Sequence, residues 1–232
     1  MTTRGRRTAT AIIALCALGL AAGLASTAPS RRPAPPPTPT RRPAAALRPN
    51  PKPAPEPGRL PQTHVLPPPT GPAVERLGRA VLTAVAADRI EPAVGVFFPL
   101  AAYLQVKAIP NPAADYRERL LGELRLDVEA AHALVAQGGS EPTFVELRIP
   151  QSYAHWVEPG TCYNRIGYYE VPNSRLLYRQ GGELRSFGIA SLISWRGVWY
   201  LVHLGAVERP AAEGVVDEPA VGPGTSRYLD TC

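Results

Sequence analysis

The sequence predicts an α+β fold with helices first and an antiparallel sheet after them, on three observations. Apolar residues recur at helical spacing from Val74 to about Ala136. Beyond that they alternate, in short runs bounded by Gly, Pro and Asn, as far as Glu208. Within this second part, Ser186 to Gly205 reads as two strands folded about Arg196-Gly197. Helices followed by a run of strands pack as helices on one face of a sheet.

The chain reaches that domain through two segments of different composition. Arg4, Arg6 and Arg7 precede an uncharged run from Ala11 to Ala25 that ends in small residues. This is the order of a signal peptide, assigned to residues 1–28, with Gly23 and Ala25 placed for cleavage before Ser26. The competing reading is an uncleaved signal anchor, although the run is shorter than the roughly 20 residues of a spanning helix. Residues 29–73 form a proline-rich linker, with 17 of the 28 prolines of the chain. Its apolar content cannot bury a core, so it is expected to be disordered, with polyproline II character.

The α+β domain is assigned to residues 74–209. Val74, Leu77, Val81, Leu82 and Val85 share one face of a first helix ending near Ala87. A second helical segment, Ala93 to Lys107, is broken or restarted at Pro99. Asn111-Pro112 turns the chain into a third helix, from about Ala113 to Ala136, with Leu120, Leu121, Leu124, Val128, Ala131 and Val135 as its stripe.

Strands follow. Phe144 to Ile149 places Val145, Leu147 and Ile149 on one face. Tyr163 to Val171 and Arg175 to Arg179 are two strands joined at a Pro172-Asn173-Ser174 turn. Gly181-Gly182 leads into a long strand, Glu183 to Trp195, and Val198 to Glu208 closes the meander. A two-residue turn at Arg196-Gly197 pairs Trp195 with Val198, Ile193 with Tyr200, Ser191 with Val202 and Ile189 with Leu204 on one face. On the other it pairs Leu192 with Leu201 and Ala190 with His203. Residues 210–232, rich in Gly, Pro and acid, are expected to be irregular.

The net charge of +6 is unevenly spread: it is +9 up to Ala73, zero from Val74 to Arg209 and −3 thereafter. A neutral folded part argues against a nucleic-acid interface, which needs a basic face on the domain itself. The basic residues are 23 arginines with only Lys52 and Lys107, read as the coding bias of a GC-rich genome. Once the signal is removed, Cys162 and Cys232 remain, and export into an oxidising compartment predicts a disulfide between them. The alternative is two unpaired thiols. No Cys/His spacing suits a metal and no phosphate loop or nucleophile motif appears, so neither a metal nor a cofactor is expected.

The element order resembles the NTF2-like, cystatin-related folds. Trp156-Val157-Glu158-Pro159-Gly160-Thr161-Cys162-Tyr163-Asn164-Arg165-Ile166-Gly167-Tyr168, taken with Ser191 to Gly197 and Trp199 to Gly205, is similar to a group of uncharacterised exported proteins of high-GC Gram-positive bacteria. The resemblance covers roughly Glu91 to Gly205. It implies a strongly bent sheet that forms a cone with the helices, and an extracytoplasmic location that is secreted, cell-wall or membrane associated. It supplies no activity. NTF2-like proteins hold ligands inside the cone, and several are isomerases, dehydratases or hydrolases.

Two catalytic candidates arise. His203 lies on a strand among apolar neighbours, as a general base or as a hydrogen-bonded core histidine. Asp127 borders the stripe of the third helix, about 60° from Leu124, as a cavity acid or as half of a salt bridge. Tyr103, Tyr116 and Tyr200 are hydroxyl donors or core aromatics. A binding surface is the second possibility: Trp156, Tyr163, Arg165, Tyr168, Arg175, Tyr178 and Arg179 make the middle strands aromatic and basic. Such a surface stacks sugar rings and holds carboxylates.

The expected function is therefore a non-catalytic module of the cell envelope, whose partner is a cell-wall glycan, a hydrophobic small molecule or an envelope protein. Nucleic acid is not a partner, and a membrane is one only through an uncleaved anchor. The alternative is a small exported isomerase, dehydratase or hydrolase. A closed cone with an external aromatic groove marks the first; a cavity on which ionisable groups converge marks the second.

Overall fold

A computed structural model describes residues 56–209 and 211–228. The signal segment, the linker up to residue 55 and Cys232 lie outside them. The fold is α+β: helices pack against a six-stranded antiparallel sheet.

Helix α1, Pro72–Ala87, starts on a proline at its first position, where a missing N–H costs nothing. It stops at Asp88, whose left-handed backbone turns its N–H back onto the carbonyls of Ala84 and Val85. The predicted stripe of five apolar residues is buried throughout. The next segment divides at Pro99 into α2, Glu91–Val94, and α3, Leu100–Val106. Between them, residues 96–98 run alongside a strand residue, Leu201: Leu201 donates to the Val96 carbonyl (3.0 Å) and Phe98 donates to that of Leu201 (2.8 Å). The third helical stretch comprises α4, Pro112–Asp115, a single π-turn, Tyr116–Leu120, and α5, Leu121–Ala136. Asn111 caps it, with its side-chain oxygen accepting from the Ala114 N–H (3.2 Å). The π-turn inserts one residue into the helical ladder and shifts the buried face: Leu120 and Leu124 are buried, and Leu121 is not.

The strands are β1, Thr143–Arg148; β2, His155–Val157; β3, Tyr168–Gln180; β4, Glu183–Trp195; β5, Val198–His203; and β6, Asp217–Val221. The order is β1-β3-β4-β5, with β2 also pairing β3 and β6 also pairing β4. Two tight turns set the long strands: Gly181-Gly182, and Arg196-Gly197, where both residues have positive φ, 53° and 74°. Positive φ at both turn residues matches the twist of a hairpin.

Strand bounds shift, with β3 starting at Tyr168 rather than Tyr163 and β5 ending at His203 rather than Glu208, and five further expectations are corrected. Pro172-Asn173-Ser174 is no turn, because β3 and β4 keep one register through it, pairing Pro172 with Ser191 and Ser174 with Ile189. Asn173 instead takes a φ of 50° in mid-strand, a conformation that asparagine tolerates better than most residues. In β1, a bulge between Phe144 and Glu146 turns Val145 outward, leaving it 45% exposed, while Leu147 and Ile149 stay buried. In β5, the expected register holds from Trp195↔Val198 to Leu192↔Leu201, and then Ser191 pairs with His203 rather than with Val202. The bulge at Val202 moves His203 off the face it was expected to share with Ala190 and Leu192. The tail is not wholly irregular, since β6 extends the edge of β4 and Gly224 approaches the Arg175 guanidinium on the sheet.

The fifth correction concerns the linker. Its last part, residues 56–71, packs on the domain. Trp195 donates its indole N–H to the Pro57 carbonyl (3.1 Å), Gln105 donates to that of Gly58 (2.6 Å), and the Arg196 guanidinium donates to that of Pro61. Gln62 bridges to Ser194 (3.0 Å) and Arg196 (2.7 Å), and His64 stacks on Trp156 with ring centroids 3.8 Å apart. The physical reason is that its prolines carry no N–H, so its backbone has more carbonyl acceptors than donors, and the surplus accepts from side chains of the domain.

Candidate ligand cavity

A cavity of about 150 Å³ lies between the helices and the inner sheet face. That exceeds the roughly 30 Å³ share of one liquid water and falls below the ≈300–1,000 Å³ of drug-sized sites. Phe98, Ile193 and Val202 supply apolar wall, and Lys107, Arg119, Glu170, Ser191 and His203 reach it together with the Tyr103 and Tyr168 phenols.

Each polar group is held. Arg119, from the π-turn, grips the Asp115 carboxylate with two hydrogen bonds (2.7 and 2.8 Å) and donates to the Tyr103 hydroxyl (3.3 Å). Tyr103 in turn donates to Asp115. Burial, and then the Asp115 carboxylate that accepts its proton, push the Tyr103 phenol far above its ordinary value. For Asp115 burial works upward and is outweighed by the bonds from Arg119 and Tyr103, so its carboxyl sits below the usual range. Tyr116, one turn earlier, donates to the Phe98 carbonyl (2.8 Å), and burial pushes its phenol up to about 12. On the sheet side, Ser191 donates to Glu170, and Tyr168 accepts from the Asn164 amide (2.9 Å).

The bulge at Val202 brings His203 beside Glu123 of α5, with Nδ1 at 3.4 Å from Oε2. Burial alone raises the Glu123 carboxyl, but the contact with His203 and its charge, aided by Arg119 and Arg209, brings it below its ordinary value. Lys107 follows α3 and donates its ammonium to the Cys162 carbonyl (3.0 Å). Burial, then the charge of Arg119, lower its pKa against the opposing charges of Asp115 and Glu170.

These shifts predict a pH dependence. Asp115 and Glu123 have folded-state values below the unfolded ones, so they stabilise the fold above roughly pH 4 and lose that contribution as pH falls through their folded values. Asp217 works the other way, its carboxyl raised first by burial: its contribution is present at low pH and is lost as pH rises through its folded value. Two depressed groups against one raised give an expected urea midpoint that drops between pH 5 and pH 3. A midpoint that rises over that interval contradicts the assignment.

Of the residues singled out from the sequence, Tyr103, Cys162, Tyr168 and His203 line the cavity. Asp127 does not. It is 1% exposed, and its two oxygens accept from the backbone N–H groups of Gly205 and Val215 (both 2.9 Å) and from Arg209 (2.9 and 3.1 Å). With its lone pairs so occupied, it orders the chain after β5 and has no capacity left for a substrate.

The aromatic and basic residues are not assembled into one surface. Trp156 is covered by His64, Tyr163 stands 76% exposed, and Arg165 donates to the Lys107 carbonyl. Arg175 is buried, donating to the Glu218 carbonyl (2.8 Å) and Ser186 hydroxyl (2.6 Å). Tyr178 packs on Phe187 in the core, and Arg179 donates to the Gly182 carbonyl (3.0 Å). Strand alternation explains the split, since Tyr168 and Tyr178 fall on one face of β3 and Arg175 and Arg179 on the other.

Cys162 is disulfide-bonded and belongs to the cavity wall; Cys232, its expected partner, lies outside the described residues. The tail does approach that end of the sheet, with the Tyr228 ring 5.9 Å from Tyr153 and 6.0 Å from His155.

Sequence reasoning missed Lys107, Arg119, Glu170 and Ser191. One signal was legible: Lys107 is the single lysine of the described residues, in a chain that otherwise uses arginine. A second was Glu170, the single acid of β3. Among the described residues no group of His, Cys, Asp and Glu side chains is arranged to hold a metal ion, and no helix is long and apolar enough to cross a membrane. Compared with protein-family models, curated proteins and solved structures, the chain finds no match.

Proposed function

We propose that this is an exported envelope protein with an NTF2-like domain, whose cavity between helices and sheet binds a small polar organic molecule. The observation that carries the reading is the meeting of Lys107, Arg119, Glu170, Ser191 and His203 on one cavity of about 150 Å³. A few convergent polar groups on an apolar wall are the mark of a small-molecule site. The charged apron of Arg4, Arg6 and Arg7 before an apolar run supports export, and the proline-rich linker supports a domain carried away from the membrane. A disulfide between Cys162 and Cys232 fits the same compartment.

A wall-glycan surface has less support, because its residues are spread over both faces of the sheet and the core. Acid–base catalysis of the isomerase or dehydratase kind is favoured by one observation, the imidazole–carboxylate contact of His203 with Glu123 at 3.4 Å beside the cavity. Amide and side-chain shifts of the ¹⁵N-labelled protein, titrated with small hydroxylated acids, aldehydes and ketones and with muropeptides, test the proposal. Shifts concentrated at Lys107, Ser191 and His203 are expected. Shifts at Trp156 and Tyr163 with muropeptides alone would replace the cavity by an external glycan site.

A further inference from the structure

Lysine is almost absent from this protein. Lys52 and Lys107 stand against 23 arginines. An arginine at position 107 would keep the charge, so something other than charge distinguishes lysine there. A guanidinium cannot give up its proton in a protein, whereas an amine can, and the free amine is a nucleophile. The one lysine of the described residues is also the one that lines the cavity.

We propose that Lys107 is a nucleophilic amine that captures a small hydroxylated aldehyde or ketone in the cavity as an imine. The inference rests on the reading that the cavity takes a small polar ligand, and it names the chemical class. Three features of the site support it. The Lys107 head group is fixed by one hydrogen bond, to the Cys162 carbonyl at 3.0 Å, and the neutral amine keeps that bond while its lone pair is free for a carbonyl carbon. Among the described residues no carboxylate lies within 4.0 Å of its nitrogen, so Asp115 and Glu170 favour the ammonium only through charge at a longer distance. Ser191, His203 and Tyr168 on the same walls offer hydrogen-bonding groups to ligand hydroxyls. Burial and the nearby Arg119 guanidinium also favour the uncharged amine.

The step balances without a further reactant. The Lys107 ammonium first gives one proton to solvent. The amine lone pair forms a C–N bond to the carbonyl carbon as the carbonyl π pair moves to oxygen. A proton passes from nitrogen to that oxygen, giving the carbinolamine. The nitrogen lone pair then expels the hydroxyl, which leaves as water with a proton taken back from solvent. The products are the protonated imine on Lys107 and one water.

The test is reductive trapping on the full chain. Protein is incubated with glycolaldehyde or dihydroxyacetone and cyanoborohydride, digested, and mapped by mass spectrometry, with Lys52 as an internal reference amine. At least tenfold more reduced adduct on Lys107 than on Lys52 is expected, and Lys107→Arg should abolish it at that position. Equal modification of the two lysines, or none at Lys107, overturns the proposal. The same probes are titrated without reductant into the wild-type and Lys107→Arg proteins by NMR. Cavity shifts that persist in a wild-type protein that fails to trap remove the imine and leave the binding site standing. No cavity shifts in either protein removes both. Circular dichroism of Lys107→Arg and of a second variant, Lys107→Met, confirms that any loss is not a loss of fold.

Discussion

Replacing Asp127 by alanine is expected to cost about 3–5 kcal/mol of folding stability, the range for breaking a buried ion pair from one side. The cost comes from what is left behind. The Arg209 side chain is 7% exposed, and without its partner its charge is buried with only the carbonyls of Ala206 (2.7 Å) and Glu213 (2.8 Å) to receive it. The N–H groups of Gly205 and Val215, which now donate to Asp127, lose their acceptor as well. For a domain of this size the corresponding fall in Tm is about 2–4 °C per kcal/mol. Urea denaturation of Asp127→Ala measures it. Pairing the change with Arg209→Met, which removes the stranded charge, should recover part of the loss. An Asp127→Ala protein as stable as the parent would mean that the carboxylate does not organise the chain after β5.

That pair decides between the two sequence readings of this residue: Asp127 is half of a salt bridge and does not line the cavity. Asp127 was singled out because helical spacing sets it at the edge of an apolar stripe, and the placement is right: it is buried. Periodicity gives the face of a helix and says nothing of what meets that face from a distant segment. Here the partners are Arg209, Gly205 and Val215, some eighty residues on, in a stretch with no periodic pattern of its own.

Where the pattern is local, it is reliable. The stripe of α1, the break at Pro99 and the whole of β4 can be read from spacing and from Pro and Gly alone. The hairpin register is readable from Trp195 back to Leu192 and fails one residue further on, at the bulge. A bulge adds one residue to one strand and leaves no mark on composition, yet it decides the site: with Val202 inserted, His203 sits beside Glu123 on the cavity, rather than on the opposite face with Ala190. The aromatic and basic residues of β3 fail as a surface for the same reason in reverse, since their abundance is visible in the sequence and their division between two faces of the sheet, with Tyr168, Arg175 and Tyr178 buried, is not.

Replacing Trp195 by alanine is expected to be as damaging as the loss of Asp127, by another route. Trp195 is 1% exposed and meets Phe98 edge to face at 5.9 Å, so removing its ring opens a large cavity at the end of β4, at about 3–5 kcal/mol. It also donates its indole N–H to the Pro57 carbonyl (3.1 Å), one of the bonds that fasten residues 56–71 to the domain. Trp195→Phe separates the two roles. It keeps most of the apolar volume and loses the hydrogen bond, at roughly 1 kcal/mol. Residues 56–71 bury little apolar surface of their own and depend on such bonds to side chains of Trp195, Gln105 and Arg196. Limited proteolysis should therefore leave the parent protein with a resistant fragment beginning near Glu56, and Trp195→Phe with one beginning near Val74. Identical fragments from both proteins, each starting near Val74, would show that the Pro57 bond does not hold this segment in place.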